Sequence, residues 1–367
     1  MALPLDAVYG ALALFSFLLA LVFVPAARLF GKTFGFVDAV NPTKIHREPM
    51  VRCGGLGIWL AFMGSLGIAV GCAGLASERL LPAPLAEIAP NIVFVVPKLS
   101  ALLAGATLLF LVGLADDRRP LPPLPKLLLQ IVSALPLIAA GITIKAFVPG
   151  EIPAALMTVA WVVLLTNAFN FLDNMDGLSA GVAAVALFNF YIISRAGGEL
   201  FMMAMFALLF GAVCGFLVFN FPRARLFMGD SGSLFIGYML AALSAMVTYY
   251  EAGVPTQLPV VAPLIVLGVP LFDTVSVLLI RWRNGAPLMK GDLNHFSHRL
   301  VALGFSRTQA VVFIHVLTLT VGLTAVNLRH LDWPGACLAL AQVVLFFVAI
   351  HLLERAARAT GEKERVP

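Results

Sequence analysis

Eleven apolar stretches, each close to the length that crosses a bilayer, follow one another through the chain and leave it few folds to adopt. They can be drawn around residues 8–29, 56–75, 99–114, 127–144, 154–171, 178–193, 200–219, 234–249, 260–280, 310–326 and 335–353. About 20 mostly apolar residues suffice for a spanning helix, and lipid offers no water to the backbone, so such a run must satisfy its N–H and C=O groups internally. Composition agrees, with 61% of residues hydrophobic and 12% charged, whereas soluble domains carry roughly a quarter charged. The expectation is an all-α polytopic membrane protein with about eleven transmembrane helices, forming a single domain over 1–367 with a short tail at 354–367. The opening MALPLDAVYG has no basic n-region and leads into a stretch longer than a signal-peptide core, so it is expected to stay as the first span.

Lys and Arg collect on cytoplasmic loops, and their placement predicts orientation. With the N-terminus outside, only Arg79, Lys98, Lys145, Arg195 and Arg329 fall on outer connections, and the other 19 of the 24 basic residues lie inside. The bias therefore predicts the N-terminus out and the C-terminus in. The net charge of +5 is then an inner-face belt beside anionic membrane lipid and calls for no nucleic acid. Cys53, Cys72, Cys214 and Cys337 are scattered without metal-ligand spacing, and are expected to pack rather than pair.

The polar residues concentrate in five loops, all on the side that this bias makes cytoplasmic. Residues 167–178 read NAFNFLDNMDGL. A lipid-facing carboxylate is costly, so Asp173 and Asp176 are expected in an aqueous or ion-occupied pocket. Asn167, Asn170 and Asp173 recur every three residues and share a face if the helix runs on, giving amide and carboxylate oxygens that suit a hard cation. DDRRPLPPLPK runs from Asp116 to Lys126. Adjacent carboxylates persist best beside a cation or with one protonated, so Asp116 and Asp117 suit a metal site or a general base. The prolines stiffen the turn, and Lys126 points back toward the aspartates or a phosphate.

FMGDSGSL sets Asp230 between glycines before a helix. Backbone N–H groups of Gly229, Ser231, Gly232 and Ser233 offer a seat for phosphate oxygens, and Asp230 a ligand for Mg²⁺, while an ordinary helix cap is the plainer alternative. HREPMVRCGG ends in Gly54 and Gly55, which permit close backbone approach, and Lys44, His46, Arg47 and Arg52 are candidate phosphate contacts. DLNHFSHRL, from Asp292, presents His295, His298 and Arg299 to an anionic or hydroxyl-rich substrate. Asp273, inside the ninth stretch, is expected to pair with a basic neighbour.

In this order and on alternate loops, DDRRPLPPLPK, NAFNFLDNMDGL, FMGDSGSL and HFSHRL resemble the motifs of the polyprenyl-phosphate N-acetylhexosamine-1-phosphate transferases (glycosyltransferase family 4), which include the MraY translocase and the WecA-like enzymes. The resemblance implies transfer of a sugar 1-phosphate from a UDP-sugar to undecaprenyl phosphate, with release of UMP. It places the protein in the bacterial inner (plasma) membrane with its active site facing the cytoplasm, and allows a homodimer. It implies Mg²⁺, with Mn²⁺ as a substitute, on Asp230 and Asn170. By the same resemblance, Asp116 and Asp117 serve the lipid phosphate or the metal region and Lys126 binds phosphate. Phe227 stacks on uracil, Asn167 belongs to the substrate site, Asp173 and Asp176 line the nucleoside pocket, and His295, His298 and Arg299 contact the diphosphate and sugar.

Two positions depart from the family pattern: Asn174 replaces a glycine, and Ser297 stands where many members carry a histidine. The HRLVALG ending looks WecA-like and favours N-acetylglucosamine as the sugar. The nearest alternative is the same chemistry on UDP-MurNAc-pentapeptide. A proton-coupled transporter is a different class, and predicts acids deep in several spans and on both faces.

Overall fold

The computed structural model describes residues 5–38, 50–75, 92–145, 149–249, 255–287 and 293–363; Lys44, His46, Arg47 and Asp292 lie outside them. The chain divides after Val247 into two compact units.

The first unit opens with α1 (Leu5–Phe34), followed by the strands β1 (Val37–Asp38) and β2 (Met50–Val51). These pair antiparallel with Val37 opposite Val51. Then come α2 (Gly54–Leu75), α3 (Ile92–Arg118), α4 (Pro123–Ala139), α5 (Glu151–Leu172), α6 (Leu178–Ala196), α7 (Leu200–Asn220) and α8 (Gly229–Met246). The unit is built around α8, which packs against α2, α3 and α5. Every residue of α8 from Ser231 to Ser244 is buried, as expected of a helix that is apolar all round.

In lipid, helices gain little from hydrophobic burial against one another, so close packing and hydrogen bonds hold them together. Gly113 shows how close α3 comes: a Cβ there would stand 2.3 Å from the Asp230 carbonyl oxygen. That contact fixes the end of α3, and with it Asp116 and Asp117, against the start of α8. On the far side of the unit α1 packs along α7 and α2, and the Arg195 guanidinium donates to both oxygens of Asp6 at 2.6 and 2.7 Å.

In the second unit a 3-10 turn (Leu258–Val261) leads into α9 (Ala262–Val266) and α10 (Gly268–Arg283), followed by α11 (Phe296–Ala302), α12 (Arg307–Asn327) and α13 (Trp333–Lys363). The turn with α9 and α10 form one apolar run bent by 67°. Pro270, in the first turn of α10, has no N–H to bond back across the break. Ser306 and Gln309 close a reciprocal capping box that fixes the start of α12.

Every one of the eleven apolar stretches falls on a helix or on this bent run. Among the described residues eight helices are long and apolar enough to cross a membrane, and the bent pair makes a ninth candidate. Outside that measure stand α4, with 17 residues, and α8, with 18. The 18 residues of α8 reach the length of a span, but its polar first turn, GDSGS, lowers its hydropathy, and its body is enclosed by protein.

Candidate active site

Four side chains from four helices meet at the start of α8. The Lys126 ammonium, in the first turn of α4, hydrogen-bonds Asp230 Oδ2 and stands 3.7 Å from Asp116 Oδ2. Lys126 thus points back toward the aspartates, as the sequence suggests. Asp116 also accepts the Leu121 N–H at 2.8 Å, closing the proline-rich turn onto its own carboxylate. From α5, Asn170 donates to Ser233 Oγ at 2.9 Å and stands beside the Asp230 carboxylate. The side chains of Asp116, Lys126 and Asp230 keep 16%, 16% and 19% of their surface exposed, so the cluster is recessed but reachable.

The two adjacent aspartates are not equivalent. Asp117 turns away from Lys126 and takes two backbone N–H groups of α8, Asp230 at 2.7 Å and Ser231 at 3.0 Å. Of the N–H groups expected to seat phosphate at that helix start, the one of Ser231 is thus already taken by a carboxylate. The turn that makes it possible is Gly229, whose φ of 74° is left-handed and whose missing Cβ would lie 2.6 Å from both Asp117 oxygens. Asp230 is accordingly a residue of the first turn, aimed by a cap that another helix supplies.

The segment 167–178 also divides its labour. Asn167 lies one turn below Asn170 and donates to Gln130 Oε1 at 2.6 Å, while Gln130 Nε2 donates back at 3.3 Å. Asn167 therefore locks α4 to α5 beneath the cluster. Asp173 follows the last residue of α5. It is only partly covered at its surface, yet the protein around its carboxyl pushes its pKa up to about 8; the Asp230 charge adds to the rise, and Arg52 opposes it. Asp176 accepts the Ala224 N–H at 3.0 Å and holds the turn between α7 and α8. Asn174 donates to the Phe171 carbonyl at 2.8 Å, a local contact that an asparagine makes and a glycine does not.

Phe227, half-buried, is held by its backbone: its N–H donates to the Val51 carbonyl at 2.9 Å, and its carbonyl accepts the Gly54 N–H at 2.9 Å. The glycine pair makes this possible, since a Cβ on Gly55 would lie 2.1 Å from the Gly232 nitrogen. Arg52 pairs with Phe227 in a parallel bridge, and its charge reaches Asp173. Cys53 donates its thiol to the Ala27 carbonyl at 2.9 Å and is free, as are the other three cysteines.

In the second unit Asp273 Oδ2 lies 2.8 Å from His295 Nδ1, and Asp273 Oδ1 accepts the Phe296 N–H. The expectation that Asp273 pairs with a basic neighbour is met. Arg299 is 6% exposed and fully engaged. Its Nε donates to Glu354 at 2.9 Å, and its terminal nitrogens to Ser276 and the Asn294 carbonyl at 3.0 Å. Its guanidinium also lies 5.9 and 5.8 Å from the rings of Phe272 and Phe296. The structure thus gives Arg299 a bracing position inside this unit. His298 is partly exposed, with its ring 6.5 Å from that of His295.

The sequence profile of glycosyl transferase family 4 matches residues 99–248, which contain the whole cluster from Asp116 to Asp230. The decaprenyl-phosphate N-acetylglucosaminephosphotransferase of Mycobacterium tuberculosis (strain CDC 1551 / Oshkosh) is 31% identical over 315 residues, 79% of this chain and 74% of that one. The chain belongs to this glycosyl transferase family. A probable undecaprenyl-phosphate N-acetylglucosaminyl 1-phosphate transferase of Bacillus subtilis is 29% identical over 92% of this chain and 88% of its own length. The undecaprenyl-phosphate alpha-N-acetylglucosaminyl 1-phosphate transferase of Yersinia pestis is 25% identical, covering 94% and 92%.

The donor set of this family member fits a hard divalent cation. Asp116 and Asp230 offer carboxylate oxygens and Asn170 an amide, and the Lys126 ammonium already places positive charge between the carboxylates. Among the described residues no three His, Cys, Asp or Glu side chains gather into a cage, so a cation held here would need phosphate oxygens and water to complete its shell. Sequence reasoning missed Gln130 and Asn220. Asn220 accepts the Gly177 N–H at 2.8 Å and donates to the Leu226 carbonyl at 2.9 Å, tying the two site loops together. Each is a lone amide at an apolar helix face or end, and that is the only trace it leaves in the sequence.

Proposed function

We propose that this chain transfers N-acetylglucosamine 1-phosphate from UDP-N-acetylglucosamine to undecaprenyl phosphate, releasing UMP at the cytoplasmic face of the plasma (inner) membrane with Mg²⁺ as cofactor. The reading rests on the cluster of Asp116, Lys126, Asp230 and Asn170, and on relatives named for N-acetylglucosamine phosphate transfer to polyprenyl phosphates. The chemistry requires two anions, a lipid phosphate and a nucleoside diphosphate, to meet in line, so charge must be neutralised before geometry can act.

Mg²⁺ held by Asp230, with Asn170 and Asp116 beside it, would neutralise phosphate oxygens and polarise the phosphorus under attack. Lys126 binds phosphate at the same place. Asp116, the carboxylate of the pair that faces Lys126, positions the lipid phosphate. That phosphate has a second pKa near roughly 6 and is largely dianionic at neutral pH, so it attacks directly without a strong base. Phe227 and the Asp173 to Asp176 wall receive the nucleoside.

The test is a donor panel on purified protein. UMP should appear only when polyprenyl phosphate, Mg²⁺ and UDP-N-acetylglucosamine are all present. Turnover of UDP-MurNAc-pentapeptide instead would overturn the sugar assignment, and proton-coupled flux into liposomes without UMP would overturn the reaction class.

A further inference from the structure

In the second unit a cleft of about 810 Å³ runs between α10 and α13. Its α10 wall includes Gly268, Phe272 and Leu279, and its α13 wall Val344, Val348 and Leu352. On each helix these recur at spacings that keep them on one face. The two helices run in the same direction. A Cβ on Gly268 would lie 3.3 Å from the Phe347 ring, Phe272 stacks on Phe347 at 4.9 Å, and further along Arg299 joins Ser276 to Glu354. Both apolar runs therefore finish at the same end of the cleft, one at Arg283 and the other at Arg355.

Those two arginines line that end and are exposed. Among the described residues neither is held in an ion pair. Only 11% of the spanning window of α13 is buried, so the cleft opens toward lipid. Trp282, 71% exposed beside Arg283, has the character of a membrane-interface anchor and places the arginines at headgroup level. The 16 residues of α10 rise about 24 Å, more than the roughly 15 Å of one hydrocarbon leaflet. An apolar trough of leaflet depth with two guanidiniums at its mouth is complementary to one phosphate carrying acyl chains.

We propose that this cleft binds an anionic glycerophospholipid, with its phosphate between Arg283 and Arg355 and its acyl chains along the walls of α10 and α13. The ligand joins α10 and α13, which the Phe272–Phe347 stack brings together and which Arg299 of α11 links through Ser276 and Glu354, so it stabilises α13 in its place. The proposal does not depend on which sugar or polyprenyl phosphate the enzyme uses.

The experiment compares the full chain in phosphatidylcholine nanodiscs with and without phosphatidylglycerol, following the unfolding temperature and the lipid retained in native mass spectrometry. Phosphatidylglycerol should raise the unfolding temperature by several degrees and stay bound. Both effects should vanish in Arg283→Gln/Arg355→Gln, and also in Val348→Trp, which fills the trough while leaving the arginines in place. Equal retention of phosphatidylcholine, or retention of phosphatidylglycerol by either variant, overturns the proposal. So does displacement of phosphatidylglycerol by undecaprenyl phosphate, which would assign the cleft to the acceptor. Efficient dimer cross-linking through Val348→Cys would assign it to a second copy of the chain and overturn it equally.

Discussion

Asp117 accepts the backbone N–H of Asp230 at 2.7 Å, so one aspartate of the site holds the helix from which another is aimed. With the Ser231 N–H at 3.0 Å on its other oxygen, Asp117 acts as the cap of α8. Asp117→Ala should cost about 1–2 kcal/mol of stability, the usual value of a lost helix cap, and about 100-fold in kcat through displacement of Asp230. Asp117→Asn keeps one acceptor oxygen and should recover most of both. Equal loss in the two variants, measured by UMP release and thermal unfolding, would show that Asp117 acts chemically.

Lys126 stands where a cation between Asp116 and Asp230 is required. Lys126→Met leaves two carboxylates facing each other, and should lower kcat/KM by at least about 100-fold, on the scale of lost electrostatic stabilisation at a reacting centre. Chelation should abolish UMP release in the wild type, and added Mg²⁺ should restore it. Asp230→Ala should remain inactive at any Mg²⁺ concentration, and activity retained there sinks the metal assignment.

How far the sequence carries is clearest in these residues. The apolar stretches locate the helices because lipid forces each one to satisfy its own backbone, and that constraint is written locally. The meeting of Asp116, Lys126 and Asp230 was legible as well, since two charged loops on one side of an apolar protein have few other partners. The separate fates of Asp116 and Asp117 were not. Neighbours in sequence diverge because only the close approach at Gly113 and the left-handed turn at Gly229 bring the α8 N–H groups under Asp117. Gln130 was equally silent, because a single amide in an apolar helix has no recognisable partner until Asn167 stands opposite it.

Asp173 gives the ligand-free protein a pH dependence. Its carboxyl holds its proton up to about 8 when folded, against an ordinary value of 3.8. Between those values the folded state binds more protons than the unfolded one, so the contribution is full below pH ~4 and is lost as pH rises toward ~8. Unfolding temperature should therefore fall over that range in the wild type, and fall less in Asp173→Asn. Identical slopes for the two proteins would contradict the assignment.

The Arg299–Glu354 pair decides between two uses of a conspicuous arginine. Both side chains are buried, at 6% exposure each, and breaking a buried pair from one side leaves an uncompensated charge at a cost of about 3–5 kcal/mol. Glu354→Leu alone should therefore destabilise strongly. Replacing both partners with apolar residues of similar volume is commonly near neutral, so Arg299→Met/Glu354→Leu should regain most of the lost stability. UMP release separates the roles: a brace predicts that activity returns with stability in the double variant, whereas a substrate contact predicts a stable protein with a raised KM for the UDP-sugar. The 2.9 Å bond to Glu354 and the two donors on Ser276 favour the brace, since an arginine whose nitrogens are already engaged has little left to offer a diphosphate.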